Sequence, residues 1–198
     1  INELPGIVDD YRRAALAAVE AGFDGVEVHA ANGYLLDQFL KTGSNHRTDA
    51  YGGSIENRAR LLLEVMQAVT QAIGGGRVGI RLSPVTPAND VVDADPQPLF
   101  EYVVRQLGSM GLAYVHVIEG ATGGPRELPD RPFDYPALRA AWRAAGGQGA
   151  WMVNNGYDLA LSHQALSEGA DLVACGKPFI ANPDLVERLR RGGPFNTP

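Results

Sequence analysis

Hydrophobic and polar positions along the 198 residues switch repeatedly between two periods. From Val8 to Ala21 the apolar residues recur at helical spacing. Val8, Tyr11, Ala15, Ala18 and Val19 share one face, Asp9, Arg12, Arg13 and Glu20 lie off it, and Gly22 ends the run. At Val26–His29 the period becomes two, with Val26 and Val28 on one side, as a strand requires. Ser54 then caps a helix carrying Leu62, Met66, Val69 and Ile73 at helical spacing, stopped by Gly74, Gly75 and Gly76. The same exchange returns four times. Strands are predicted at Val78–Leu82, Tyr114–Glu119, Trp151–Asn154 and Leu172–Cys175. Each precedes a helix, at Leu99–Met110, Tyr135–Ala145, Leu159–Ser167 and Asp184–Arg190.

One helix followed by five rounds of strand and helix means parallel strands joined by right-handed crossovers. Such strands form either an open doubly wound sheet or an arc of a barrel. Two features favour the arc. No strand is followed by a Gly-x-Gly-x-x-Gly turn, the fingerprint of an open dinucleotide-binding sheet. The strands also carry Glu27, Arg81, His116 and Asn154 among their apolar residues, whereas strands covered by helices on both faces read almost continuously apolar. The expected fold is α/β, a TIM-type (β/α)8 barrel represented by strands four to eight with their helices. Residues 1–198 are read as a single domain lacking the amino-terminal strands. The opening at Ile1 and the end at Pro198 are read as cuts from something longer.

Composition narrows the functions. Hydrophobic residues make up 45% and charged residues 20%, as in a soluble globular domain. A formal net charge of -6 with no basic run argues against nucleic acid. No apolar stretch approaches the roughly 18 residues of a membrane span, and no signal or lipidation motif is present. The single cysteine, Cys175, excludes a disulfide framework and a thiolate metal site, so a reducing, cytoplasmic setting is expected. No histidine pair has metal spacing beside a carboxylate, and no metal is predicted.

Candidate chemistry gathers where the first strand ends. His29, Asn32 and Tyr34 fall within six positions, at the carboxyl end of a strand, where α/β folds collect function. A satisfied core histidine followed by an ordinary turn is the alternative. The polar segment Lys41–Gly53 is long enough to be functional or to support function. Asn154-Asn155-Gly156 and Gly176-Lys177 follow the last two strands, where barrels bind phosphate through backbone amides.

Four stretches together resemble the Old Yellow Enzyme family of flavin-dependent ene-reductases, most closely its alkene and N-ethylmaleimide reductases. They are Gly-Val-Glu-Val-His-Ala-Ala-Asn-Gly-Tyr-Leu-Leu-Asp-Gln-Phe within Gly22–Leu40, Asn45–Arg60, Gly-Ile-Arg-Leu-Ser-Pro at Gly79–Pro84, and Gly176–Leu185. They lie in the family's order over nearly the whole chain. The resemblance implies an FMN cofactor, NAD(P)H as reductant and an activated alkene (enone, maleimide or nitro compound) as substrate. It implies His29 and Asn32 as hydrogen-bond donors to the substrate oxygen and Tyr34 as proton donor to the α-carbon. It places Arg81 at the flavin, with Glu27 expected to orient it, and Asn155, Gly156, Gly176 and Lys177 at its phosphate. Lys177 departs from the arginine usual in the family, keeping the charge but not the planar fork. The missing amino-terminal part of the barrel is the implied partner, and the chain alone is expected to hold flavin weakly or not at all.

The remaining polar residues read as support. His116 is expected inside, His46 and His163 on the surface, Cys175 buried in the last strand, and the loop Asn45–Asn57 as scaffolding for Tyr34. Two other functions remain open. One is a non-catalytic partial barrel that pairs its edges with another chain. The other is a different phosphate-binding barrel enzyme, disfavoured because Lys41 falls in a loop and Lys177 at the phosphate end, leaving no lysine suited to a Schiff base.

Overall fold

A computed structural model describes residues 1–197. Five parallel strands form one sheet: β1 Val26–Ala30, β2 Val78–Leu82, β3 Tyr114–Ile118, β4 Ala150–Asn154 and β5 Leu172–Ala174. Their spatial order is their chain order. This monotonic order decides between the two architectures. A doubly wound sheet reverses direction at a switch point and places helices on both faces. Right-handed crossovers that always advance in one direction place every helix on one face. The arrangement is an arc with helices outside and a free concave side.

The eight α-helices among the described residues are α1 Leu4–Glu20, α2 Leu35–Leu40, α3 Ile55–Ile73, α4 Pro96–Leu107, α5 Tyr135–Ala144, α6 Leu159–Ser167, α7 Lys177–Ala181 and α8 Leu185–Arg191. The first and fourth begin three or four residues earlier than the apolar spacing predicts, because Pro5, Pro96 and Pro98 fit a first turn that needs no N–H from them. Helices α2 and α7 are absent from the expectation, being too short to show a periodic stripe. Ser54 caps α3, its hydroxyl accepting from Asn57 N at 3.3 Å.

Strand register separates the two faces. Val28, Ala30, Val78, Ile80, Leu82, Val115, Val117, Trp151 and Val153 point toward the helices and are buried in the core with Leu62, Met66, Phe100 and Trp142. The other face carries Glu27 opposite Gly79, and His29 opposite Arg81, which is in turn opposite His116. The polar positions expected to line one side therefore do so.

Gly79 shapes this face. A Cβ there would lie 2.2 Å from the Tyr114 ring, so the glycine makes room for the ring. With no side chain between them, Glu27 reaches from β1 to β3 and joins His116 Nδ1 at 2.8 Å. Arg81 instead donates from Nη2 to Asn154 Oδ1 at 2.9 Å. The expected Glu27–Arg81 pair is thus replaced by two pairs one layer apart. Each pair skips one strand and rises two residues in register, Glu27 (level with Gly79 and Tyr114) to His116 and Arg81 (level with His116 and Met152) to Asn154. His116 is buried as expected, and His46 and His163 are exposed. Cys175 lies just beyond β5 and is half-buried rather than buried in the strand.

No helix among the described residues is long and apolar enough to cross a membrane. No group of three or more His, Cys, Asp or Glu among them is arranged to hold a metal ion.

Candidate active site

Beyond β1 the chain makes a tight turn, Ala31–Tyr34, closed by Tyr34 N donating to Ala31 O at 3.2 Å. Asn32 and Gly33 occupy its centre with φ of 58° and 73°, both left-handed, and Asn-Gly is the pair that tolerates this best. Gly33 is constrained twice, since a Cβ would also lie 2.5 Å from Ala88 O. Tyr34 then serves as N-cap residue of α2.

The turn delivers its side chains to the mouth of the concave face. The rings of His29 and Tyr34 lie side by side, 5.2 Å between centroids and tilted by 53°. Tyr34 is 59% exposed. Burial and the Arg81 guanidinium hold the His29 imidazole below its ordinary range, so it is neutral at pH 7 and keeps one N–H to donate. Asn32 Oδ1 accepts from the Thr122 hydroxyl at 2.6 Å, which leaves its amide NH₂ free to donate elsewhere. The Asn32 peptide is fixed as well, its N–H donating to Ser83 Oγ at 2.8 Å and its carbonyl accepting from Asn89 Nδ2 at 3.1 Å.

Arg81 stands on the neighbouring strand, across from His29. One of its nitrogens holds Asn154, and its buried Nε has no partner among the described residues. Native structures seldom leave such a donor unpaired, so it marks a place for an acceptor.

At the far end of the arc, Gly156, Gly176 and Lys177 are exposed beyond β4 and β5. Among the described residues their backbone N–H groups have no acceptor outside regular helix and strand pairing. Asn155 is placed differently. It is buried, and its amide donates to Glu119 O at 2.7 Å and Ala121 O at 2.8 Å while Oδ1 accepts from Gly123 N at 3.0 Å. Its side chain is therefore spent on the loop after β3.

The long loop after α2 is held by its own polar groups. Asn45 Nδ2 donates to Phe39 O at 2.6 Å and Tyr51 O at 2.7 Å, Tyr51 reaches Glu64 at 3.0 Å, and Asn57 Nδ2 donates to Gly52 O at 3.1 Å. Arg58 is buried and joins Leu40 O to Asp93 Oδ2. Lys41, expected in a loop, is instead fully buried at the end of α2 and paired with Asp37. The sequence pattern assigned no role to Asp37, Ser83 or Thr122 and misplaced Lys41. The one available signal was a carboxylate and an ammonium four apart, Asp37 and Lys41, across the end of the apolar run Leu35–Leu40.

Residues 2–196 match the model of the NADH:flavin oxidoreductase / NADH oxidase family. The chain belongs to this family. Within it, the chain is 48% identical over 197 residues to a putative 12-oxophytodienoate reductase 10 of Oryza sativa subsp. japonica, covering 98% of this chain and 62% of that one. It is 45% identical over 198 residues to a probable flavin mononucleotide-dependent alkene reductase of Leishmania infantum, covering 100% of this chain and 52% of the relative. Among solved structures, morphinone reductase superposes with a TM-score of 0.89 at 46% identity, covering 100% of this chain and 52% of that chain. An old yellow enzyme homologue from Zymomonas mobilis superposes with a TM-score of 0.92 at 38% identity, covering 54% of that chain. The chain spans about half the length of most curated family members it matches. Its five-stranded arc is accordingly a partial TIM barrel of the old yellow enzyme kind.

Proposed function

We propose that this chain carries the substrate-activating wall of an FMN-dependent ene-reductase, acting with the amino-terminal part of the barrel on an activated alkene. The observation that carries the reading is the His29 imidazole beside the Tyr34 phenol, at a strand end directly across from Arg81. The unpaired Arg81 Nε and the free amides of Gly156, Gly176 and Lys177 suit an anionic cofactor with a ring at one end and a phosphate at the other.

Arg81 would face the electron-rich edge of the isoalloxazine. The main chain of Asn155 and Gly156, with Gly176 and Lys177, would hold the phosphate. When bound, FMN supplies a hydride that it has taken from NAD(P)H. The protein's own part is to polarise the alkene and complete the reduction. His29 and Asn32 Nδ2 donate to the carbonyl or nitro oxygen, whose negative charge grows as the β-carbon accepts hydride. Donors fixed before the reaction stabilise that charge most effectively, and removing one costs on the order of a hundredfold in rate. Tyr34 then gives its phenolic proton to the α-carbon.

The test compares Tyr34→Phe with the parent protein, each expressed together with the amino-terminal part of the barrel. Both are expected to copurify with yellow flavin that bleaches with NADPH. Enone-driven recovery of the colour should slow by about a hundredfold or more in the variant. Equal recovery in the two would remove the proton-donor role, and an absence of flavin from the parent would remove the cofactor.

A further inference from the structure

The mouth of the arc rests on a charge pair that the mechanism above does not use. Asp37 and Lys41 lie one turn apart on and just after α2, and both side chains are 0% exposed. Asp37 Oδ2 accepts from Lys41 Nζ at 3.0 Å and from Gly33 N at 2.8 Å. Lys41 Nζ also donates to Ser83 O at 2.8 Å and sits 5.9 Å from the Phe100 ring centroid. Ser83, itself fully buried, returns the connection to the turn, its hydroxyl accepting from Asn32 N at 2.8 Å.

Stability alone does not account for this pair. Withdrawing two charges from water costs several kcal/mol each, and an apolar pair of similar volume is often as stable or more so. The turn supplies a reason. The amides of Asn32 and Gly33 come after the last residue of β1 and before the first turn of α2, so neither strand nor helix offers them an acceptor. Both residues are left-handed, a conformation that asparagine and glycine adopt at little cost, so what the turn needs from its surroundings is acceptors for its two amides. A carboxylate and a hydroxyl take up the two successive amides, and Lys41 fixes the carboxylate and the Ser83 backbone to each other.

We propose that the buried Asp37–Lys41 pair, acting through Ser83, is a positioning device that locks the Asn32–Gly33 turn and so sets where Asn32 and Tyr34 present their side chains. Neither charged residue touches the substrate. The assignment of a purpose rests on the ene-reductase reading, whereas the locking itself does not.

The experiment uses the chain expressed together with the amino-terminal part of the barrel and reads no substrate turnover, so it succeeds or fails independently of that reading. Amide hydrogen exchange and His29–Tyr34 ring contacts are followed by NMR, with urea unfolding measured in parallel. In Asp37→Leu/Lys41→Met both charges leave together. The urea midpoint is expected to stay at or above the parent value. Gly33 exchange should rise about 10- to 100-fold against the core amide of Ile80, and the His29–Tyr34 contact should disappear. A stable double variant with unchanged Gly33 exchange and an intact ring contact would overturn the proposal. Should that variant not fold, Ser83→Ala decides. Loss of protection at Asn32 with Gly33 still protected supports the lock, and unchanged Asn32 exchange refutes it.

Discussion

Single side chains at the mouth do their work through their surroundings. His29 titrates below the usual histidine range because it is half-buried and faces Arg81. The sign of its effect on stability follows directly. Between its lowered native value and the ordinary value near 6.5, the unfolded chain binds a proton that the folded chain refuses, so stability falls as the pH drops through that window. His29→Gln should therefore lose less of its urea midpoint than the parent between pH 7.5 and pH 5.5. Equal losses in the two proteins would show that His29 does not titrate in the folded state as described. That His29, Asn32 and Tyr34 gather at one strand end was legible in the sequence because they follow one strand at close spacing. Their orientation was not, since Ser83, Asn89 and Thr122 come from 51, 57 and 90 residues away.

Secondary-structure elements are tied to one another at this end by buried charge as much as by apolar contact. Arg58 opens α3 and joins the end of α2 to Asp93 in the loop before α4, with side chains only 6% and 1% exposed. Removing one partner of such a pair strands the other charge away from water. Arg58→Ala should cost about 3–5 kcal/mol, read from the urea midpoint with the slope unchanged. Arg47→Ala, whose pair with Asp49 lies a third exposed at the surface, should leave that midpoint close to the parent value. The same elements show why helix and strand periods were readable while α2 and α7 were not. Helices α3 and α4 have enough turns to show an apolar stripe, whereas α2 and α7 have six and five residues. The placement of Lys41 was misjudged for the same reason. A lysine after an apolar run reads as exposed, until Asp37, one turn back, draws it inward.

The molecule as a whole is an arc whose two outer strands each have one unpaired edge. Strand β5 has only three residues, and the helices beyond it expose Phe179 at 51%, Ile180 at 82% and Val186 at 55%. Open edges flanked by apolar residues invite pairing with another chain. Sedimentation of the isolated chain at micromolar concentration should show self-association, and Ile180→Lys should shift it toward monomer. A parent chain that is monomeric throughout that range would remove the expectation. In the ene-reductase reading the amino-terminal part of the barrel covers these edges and completes the flavin site, so the isolated chain should retain little flavin.

What the sequence by itself determined is the alternation of strand and helix, the polar stripe within the strands and the residues gathered after β1. Each is a local pattern, written in neighbours a few positions apart. The tertiary structure decided the rest: the exchange of partners that gave Glu27 to His116 and Arg81 to Asn154, the turning of Asn155 onto the loop after β3, and the burial of Asp37 with Lys41. These depend on strand register and on side chains brought together from distant positions. A missing side chain at Gly79 or one buried charge redirects them, and no local period records that.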